Sequence, residues 1–216
     1  MPEKPTIADR VRRASAKRRE DRRLDMHEAI FRAAAELLDA SGYDGFSMRV
    51  LAERIGYTPT TIYRYFRDKD ELVIAVLLEG YGAFTRALTA AVEGAGDPFE
   101  QLDALGRAYV EFGLAHPVMY RVLFMQRTDM WQRIPPERLE QACGADAFQL
   151  LLAVVRGAVG TGRTRTTDVE STAMSLWALM HGVVSLSLAM PSLADPVARG
   201  KMVQGAFTLA DLLDRG

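Results

Sequence analysis

Residues 47–72 read SMRVLAERIGYTPTTIYRYFRDKDEL, and this stretch decides the fold. Ser47 carries a hydroxyl suited to cap a helix, and Val50, Leu51 and Ile55 follow at helical spacing. Gly56 can take the left-handed conformation that closes such a helix. Two residues on, Thr58 offers a second cap and Pro59 occupies the first helical position, where its missing N–H costs nothing. The second helix is expected to run through Ile62, Tyr63 and Phe66, and Asp68 with Glu71 forms a capping box for a third. Two short helices about a tight turn make a helix-turn-helix. In that motif the second helix lies in the DNA major groove with its N-terminal residues against base edges.

Upstream, Ile30, Ala34, Leu37 and Leu38 with Phe31 predict a helix that covers this motif and stops at Ser41-Gly42. Downstream, residues 69–92 are apolar on two faces. One row is Leu72, Val76, Ala83 and Ala87; the other is Val73, Leu77, Phe84 and Leu88. Such a helix must be buried on two sides, which makes it a connector. Asp97-Pro98 with Glu100 opens a helix with Leu102, Leu105, Tyr109 and Phe112 in register, and His116-Pro117 breaks it. A short helix through Tyr120, Leu123 and Phe124 follows. After Pro135-Pro136 comes a helix with Phe148, Leu152, Val155 and Val159, ended by Gly160 and Gly162. Thr167 with Glu170 should cap the eighth helix and Pro191 end it, and Asp195-Pro196 should start a ninth through Met202, Ala206, Leu209 and Leu213. No segment alternates long enough to form a strand, so the fold is expected to be all-α with about nine helices. The domains expected are a basic arm over 1–20 without structure in the absence of DNA, a helix-turn-helix domain over 21–70, and a helical effector-binding and dimerisation domain over 71–216.

The 216 residues carry 27 Lys+Arg and 28 Asp+Glu, but the charge is uneven. Residues 1–23 hold nine basic and four acidic side chains, with RVRRASAKRREDRR over 10–23 as the densest run. That run suits a solvated tail, and equally an arm that follows phosphates or enters the minor groove. Cys143 stands alone, so no internal disulfide forms, as suits a reducing cytoplasm. No run of eighteen apolar residues occurs and no secretory segment follows Met1, so no membrane partner is expected. One cysteine, the dispersed His27, His116 and His181, and the lack of a glycine-rich phosphate loop leave no catalytic set, metal site or cofactor to draw.

For DNA, Thr60 and Thr61 can hydrogen-bond base edges or touch a thymine methyl, and Arg49 can reach a guanine bidentately. Tyr63, Tyr65 and Lys69 suit phosphate oxygens, Arg64 suits either, and Thr58 caps the reading helix. In the eighth helix Ser175, Ala178, Gly182, Ser185 and Ala189 recur at three and four. A row without bulk lets another helix approach closely, while Leu176, Met180, Val183 and Met190 offer bulk for the domain's own core. The row suits a subunit interface, and also packing on the ninth helix.

The hydroxyl caps, Ala52, the turn glycine, the aromatic pair Tyr63 and Phe66, and Lys69-Asp70-Glu71-Leu72 resemble the DNA-binding domain of the tetracycline-repressor (TetR) family. Ile55 and Tyr57 stand where most members carry Ala and Val. Trp177, His181 and Gly182, with His116, Pro117, Tyr120 and Phe124, resemble the C-terminal domain of a subgroup named for a Trp-His-Gly signature. The resemblance implies a homodimer joined by helices 8 and 9 of two subunits, and a base-contacting position at Arg49. It also implies an effector surrounded by helices that here carry Tyr81, Phe84, Tyr109, Phe112, Met119, Tyr120, Phe124, Trp131, Phe148, Trp177, Met180 and His181. The expected function is a cytoplasmic repressor on an inverted-repeat operator of double-stranded DNA, released by a small, largely apolar effector. The alternatives are an activator, an effector-independent DNA-binding protein, or a helical small-molecule-binding protein with a vestigial helix-turn-helix.

Overall fold

The computed structural model describes residues 7–125, 145–190, 195, 197, 200–202 and 204–205. The expected Pro135-Pro136 break, Trp131, Cys143 and most of the ninth-helix row lie outside them. The described residues form eight helices with described bounds, further helical residues at 197, 200–202 and 204–205, and no strand, so the fold is all-α. They are α1 Ile7–Gly45, α2 Met48–Arg54, α3 Pro59–Ile62, α4 Lys69–Glu93, α5 Pro98–Ala115, α6 Pro117–Phe124, α7 Ala145–Gly160 and α8 Val169–Ala189. The chain divides into two compact units, Met1–Val76 and Leu77–Gly216, with the division inside α4 rather than at its start.

The first unit is built on the apolar row of α1. Ile30, Ala34 and Leu38 are fully buried, as are Leu51, Ala52, Ile62, Leu72, Val73 and Val76 from the following helices. Full burial of a Leu or Ile side chain stabilises by about 1.5–3 kcal/mol, so this small cluster holds α2 and α3, two short helices that could not stand alone. Phe31 packs beside Phe66 with ring centroids 5.9 Å apart, and His27 stacks on Phe31 at 4.1 Å. Gly42 takes φ 65°, which breaks α1 at the expected place and leaves one further turn to Gly45. The start of α1 corrects the sequence reading. Helix α1 includes residues from Ile7 onward, within the arm over 1–20 expected to lack structure, because Ala, Arg, Lys and Glu are strong helix formers even without an apolar stripe.

In the second unit α5 opens with the expected capping box. Asp97 accepts from the backbone N–H groups of Phe99 and Glu100 at 2.8 and 3.0 Å, and Glu100 accepts from that of Asp97 at 3.3 Å. The backbone bonds hold the Asp97 carboxyl below the usual carboxylate range. Helix α8 is capped by Asp168, which accepts from the Ser171 N–H at 3.0 Å, not by Thr167. Leu105, Tyr109, Leu151, Val155, Met180, Val183 and Val184 form the core with Phe84 and Leu88 of α4. At Gly113 a Cβ would sit 2.5 Å from Val184 Cγ1 and 3.0 Å from Tyr120, so only glycine allows α5 and α8 to pass this closely.

By length and composition alone, α4 and α8 are apolar enough to cross a membrane. In α4 the larger apolar side chains Leu72, Val73, Ile74, Val76, Leu77, Phe84 and Leu88 are buried. Helix α8 differs, since Met174, Leu186 and Met190 stay exposed. Met190 was expected in the core; the buried place belongs to Val184 instead, because the core-facing stripe of α8 runs through Met180, Val183, Val184 and Ser187.

Candidate DNA-reading surface and effector cavity

The helix-turn-helix forms much as its residues demand. Ser47 caps α2 by accepting from the Val50 N–H at 3.2 Å, and Gly56 takes φ 74° at the turn. The Tyr57 N–H reaches the Ala52 carbonyl at 2.9 Å, closing the end of α2. Two details differ from expectation. Thr58 makes no side-chain bond to the α3 backbone; its Oγ1 lies 3.1 Å from Thr61 Oγ1 instead. Helix α3 stops at Ile62, and Tyr63 to Tyr65 continue as turns whose N–H groups still bond back to Pro59, Thr61 and Ile62. The capping pair at α4 is also shifted. Asp68 accepts from the Glu71 N–H at 2.8 Å, while Glu71 accepts from the Arg67 N–H at 2.6 Å.

With Ile62 fully buried, the rest of α3 and its following turn point outward. Thr58, Thr60, Tyr63, Arg64 and Tyr65 are exposed and Thr61 is half-buried. Tyr63 is 53% exposed, far from a core side chain, and Tyr57 at 47% joins the same surface although sequence reasoning did not single it out. Arg49 is exposed and forms a 2.9 Å ion pair with Glu53 one turn on. That pair raises the guanidinium pKa and points the Arg49 fork along α2. Lys69 has partners within the protein. Its ammonium donates to the Tyr43 carbonyl and lies 3.9 Å from the centroid of the Tyr43 ring, while the Tyr43 hydroxyl meets Asp70. Lys69 therefore ties the start of α4 to the end of α1.

In the second unit a cavity of about 500 Å³ opens between α4, α5, α6, α7 and α8. Of the residues expected around an effector, Tyr81, Phe84, Tyr109, Phe124, Phe148, Trp177 and Met180 line it. Phe112, Tyr120 and His181 do not line it. Phe112 meets Phe84 edge-on behind the wall, and Tyr120 is fully buried between Tyr109 and His181. The lining residues missed are Leu88, Leu105, Leu123, Ala147, Leu151 and Met174, aliphatic side chains indistinguishable in sequence from ordinary core. Met119 packs toward Gly80. The walls are ring arrays: Phe84 meets Tyr109 and Phe124 edge-to-face at 5.2 Å, and Tyr81 meets Phe124 at 5.7 Å while donating to the Leu123 carbonyl. Burial pushes the Tyr109 hydroxyl up to about 12, with hydrogen bonding to Tyr120 and Trp177 opposing the shift. It also pushes Tyr120 up and His181 down, so all three groups are uncharged near neutral pH.

On α8, the expected small row is solvent-facing. Ser175, Ala178 and Ala189 are exposed, and Gly182 and Ser185 are half-buried. Ser175 and Ser185 return their hydroxyls to the carbonyls of Ser171 and Gly182, at 2.9 and 3.3 Å.

Residues 30–76 match a family model described as bacterial regulatory proteins of the tetR family, and residues 102–201 match one described as a tetracyclin repressor-like C-terminal domain. The chain belongs to the TetR family. Its regulatory relatives include the HTH-type transcriptional regulator Mb1846 of Mycobacterium bovis, 25% identical over 154 residues that cover 70% of this chain. The chain spans 64% of that relative's length. The HTH-type transcriptional repressor Rv1353c of Mycobacterium tuberculosis is 28% identical over 190 residues, covering 82% of this chain and 72% of its own. The fold matches AibR, solved in complex with isovaleryl coenzyme A and operator DNA, with TM-score 0.69 at 19% identity, covering 88% of this chain and 98% of that one.

For this TetR-family head the geometry separates two variants. Arg49→Ala should leave stability unchanged and weaken binding to the preferred site about tenfold or more, with random DNA little affected. Lys69→Ala should instead cost about 1 kcal/mol of stability through the lost Tyr43 contacts. It should leave the salt dependence of DNA binding as it was. Urea unfolding and fluorescence anisotropy across a salt series read both; equal losses on specific and random DNA for Arg49→Ala would remove it from the base-reading set.

Proposed function

We propose that this TetR-family chain is a homodimeric transcriptional repressor that binds an inverted repeat and leaves it when a small, largely apolar molecule enters the cavity. The exposed surface of Thr60, Thr61, Tyr63, Arg64 and Arg49 around the turn at Gly56 carries the DNA-binding part of this reading. The aromatic cavity supports the effector, and the apolar face of α8 supports the dimer. The names of Rv1353c, a repressor, and of AibR, bound to a coenzyme A ester and operator DNA, point the same way. Kinship with the Trp-His-Gly subgroup rests on Trp177, His181 and Gly182. Such a regulator works in the cytoplasm, beside the chromosome.

A two-fold dimer presents two heads to half-sites about 34–36 Å apart or a multiple of that spacing. Fragments selected from genomic DNA by the purified full chain should share an inverted repeat with that spacing, and should shift in a gel at 150 mM salt. Recovery of fragments without a common sequence, bound only at low salt, would defeat the proposal.

A further inference from the structure

Tyr81, Trp177 and Tyr109 bring polar atoms to the described cavity wall; the Tyr81 hydroxyl is committed to the Leu123 carbonyl, and the Tyr109 hydroxyl is the polar point backed by a chain of neutral groups. Tyr109 lines the cavity, and its hydroxyl lies 3.1 Å from that of Tyr120, which is fully buried behind it. The Tyr120 hydroxyl lies 2.7 Å from Nδ1 of His181. Among the described lining residues none carries a formal charge: the walls are Tyr, Phe, Trp, Met, Leu and Ala. A carboxylate or an ammonium held against these described residues would lose hydration and gain no counter-charge from them.

Proton counting along the chain shows what the polar point can do. Each tyrosine has one proton to donate, and a neutral imidazole has one N–H. When Nδ1 carries no proton, Tyr120 donates to it and Tyr109 donates to Tyr120, so Tyr109 offers the cavity no proton, only the lone pair that the Trp177 N–H leaves free. When Nδ1 carries the proton, it donates to Tyr120, Tyr120 donates to Tyr109, and the Tyr109 proton is released toward the cavity. A shift between the two imidazole tautomers thus reverses the polarity of a hydroxyl two hydrogen bonds away. Burial favours the uncharged forms of all three groups, so the reversal needs no net charge.

We propose that the cavity takes an uncharged, largely apolar molecule with a single hydrogen-bonding group. That group is met by the Tyr109 hydroxyl, which serves as donor or acceptor according to the state of the Tyr109–Tyr120–His181 chain. This rests on the reading of the cavity as the effector site, and names the chemistry of the occupant.

The test is isothermal titration calorimetry of the full chain with five probes. These are 2-ethylnaphthalene, which has no polar group; 2-acetylnaphthalene, an acceptor; indole, a donor; 2-naphthoate, an anion; and 2-naphthylmethylammonium, a cation. The ketone should bind about tenfold more tightly than the hydrocarbon and at least about tenfold more tightly than either ion. In Tyr109→Phe the ketone should fall to within about twofold of the hydrocarbon, whose own affinity is unchanged. In His181→Leu the Tyr120 proton has only the Tyr109 oxygen to turn to, which fixes Tyr109 as a donor. The ketone then keeps its advantage and indole weakens about tenfold. Should Tyr109→Phe fail to fold, His181→Leu and indole carry the same test. Failure of every probe to bind, an ion binding as well as the ketone, or a ketone preference that survives Tyr109→Phe would each overturn the proposal. The expected preferences combined with an operator affinity that 2-acetylnaphthalene leaves unchanged would support the cavity chemistry and overturn the regulatory reading alone.

Discussion

Gly182→Leu is expected to turn a dimeric protein into monomers and to weaken operator binding by roughly a hundredfold or more, because linked heads gain about 10²–10⁴ over a single one. Gly182 sits on the α8 face with Ala178 and Ser185, and a Cβ added to it meets nothing within 4 Å among the described residues. Leucine there should therefore leave the single chain folded while holding a second helix away. Sedimentation velocity reads the mass and anisotropy the affinity. A variant that stays dimeric at the wild-type concentration would remove this face from the interface. A contrast is available at Gly113, where the same change would drive atoms into Val184 and Tyr120 and so unfold the domain before any question of assembly arises.

The second large effect expected is on switching. Tyr81 and Phe84 line the cavity and belong to the same unbroken helix whose first residues, Lys69 and Asp70, are fastened to Tyr43. An occupant that displaces the two rings is expected to shift α4, the helix on which Lys69 and Asp70 also stand. Coupling of about 1–3 kcal/mol would weaken operator binding roughly 5–150-fold, and linkage requires that operator DNA weaken ligand binding by the same factor. The measurement is a pair of titrations: DNA with and without 2-acetylnaphthalene, then 2-acetylnaphthalene with and without DNA. Unequal factors would mean that the two events are not one equilibrium, and a factor of one in both would disconnect α4 from the response. Breaking the fastening with Tyr43→Phe, which removes the hydroxyl held by Asp70, should lower the factor without altering the cavity.

The helix-turn-helix was legible because its signals are local. Ser47, Gly56 and Pro59 act through their own backbone positions, and the structure uses each as expected. What the sequence did not show has physical causes of the opposite kind. Lys69 looks like a free cation in sequence, and only the chain's return from Tyr43 brings a carbonyl and a ring beneath it. The aromatic half of the cavity wall was legible because rings are scarce and stand out at helical spacing. The aliphatic half was not, since Leu105 and Leu151 differ from core leucines only by facing an empty space. Tyr120 and His181 were assigned to the cavity itself; the fold places them one layer behind it, where they act through Tyr109. The helical state of residues 7–20 was missed because periodicity detects apolar stripes, and this stretch of sequence carries none.

The serine hydroxyls of α8 carry a further consequence. Because Ser175 and Ser185 give their protons to their own helix, they offer a facing helix only acceptor lone pairs among largely apolar groups such as Met174 and Leu186. Attraction of that kind is mostly solvent entropy near room temperature and fades as water cools. Subunit pairing on this face would then loosen in the cold, and with it the hold on DNA, giving the regulator a built-in sensitivity to temperature that owes nothing to its ligand.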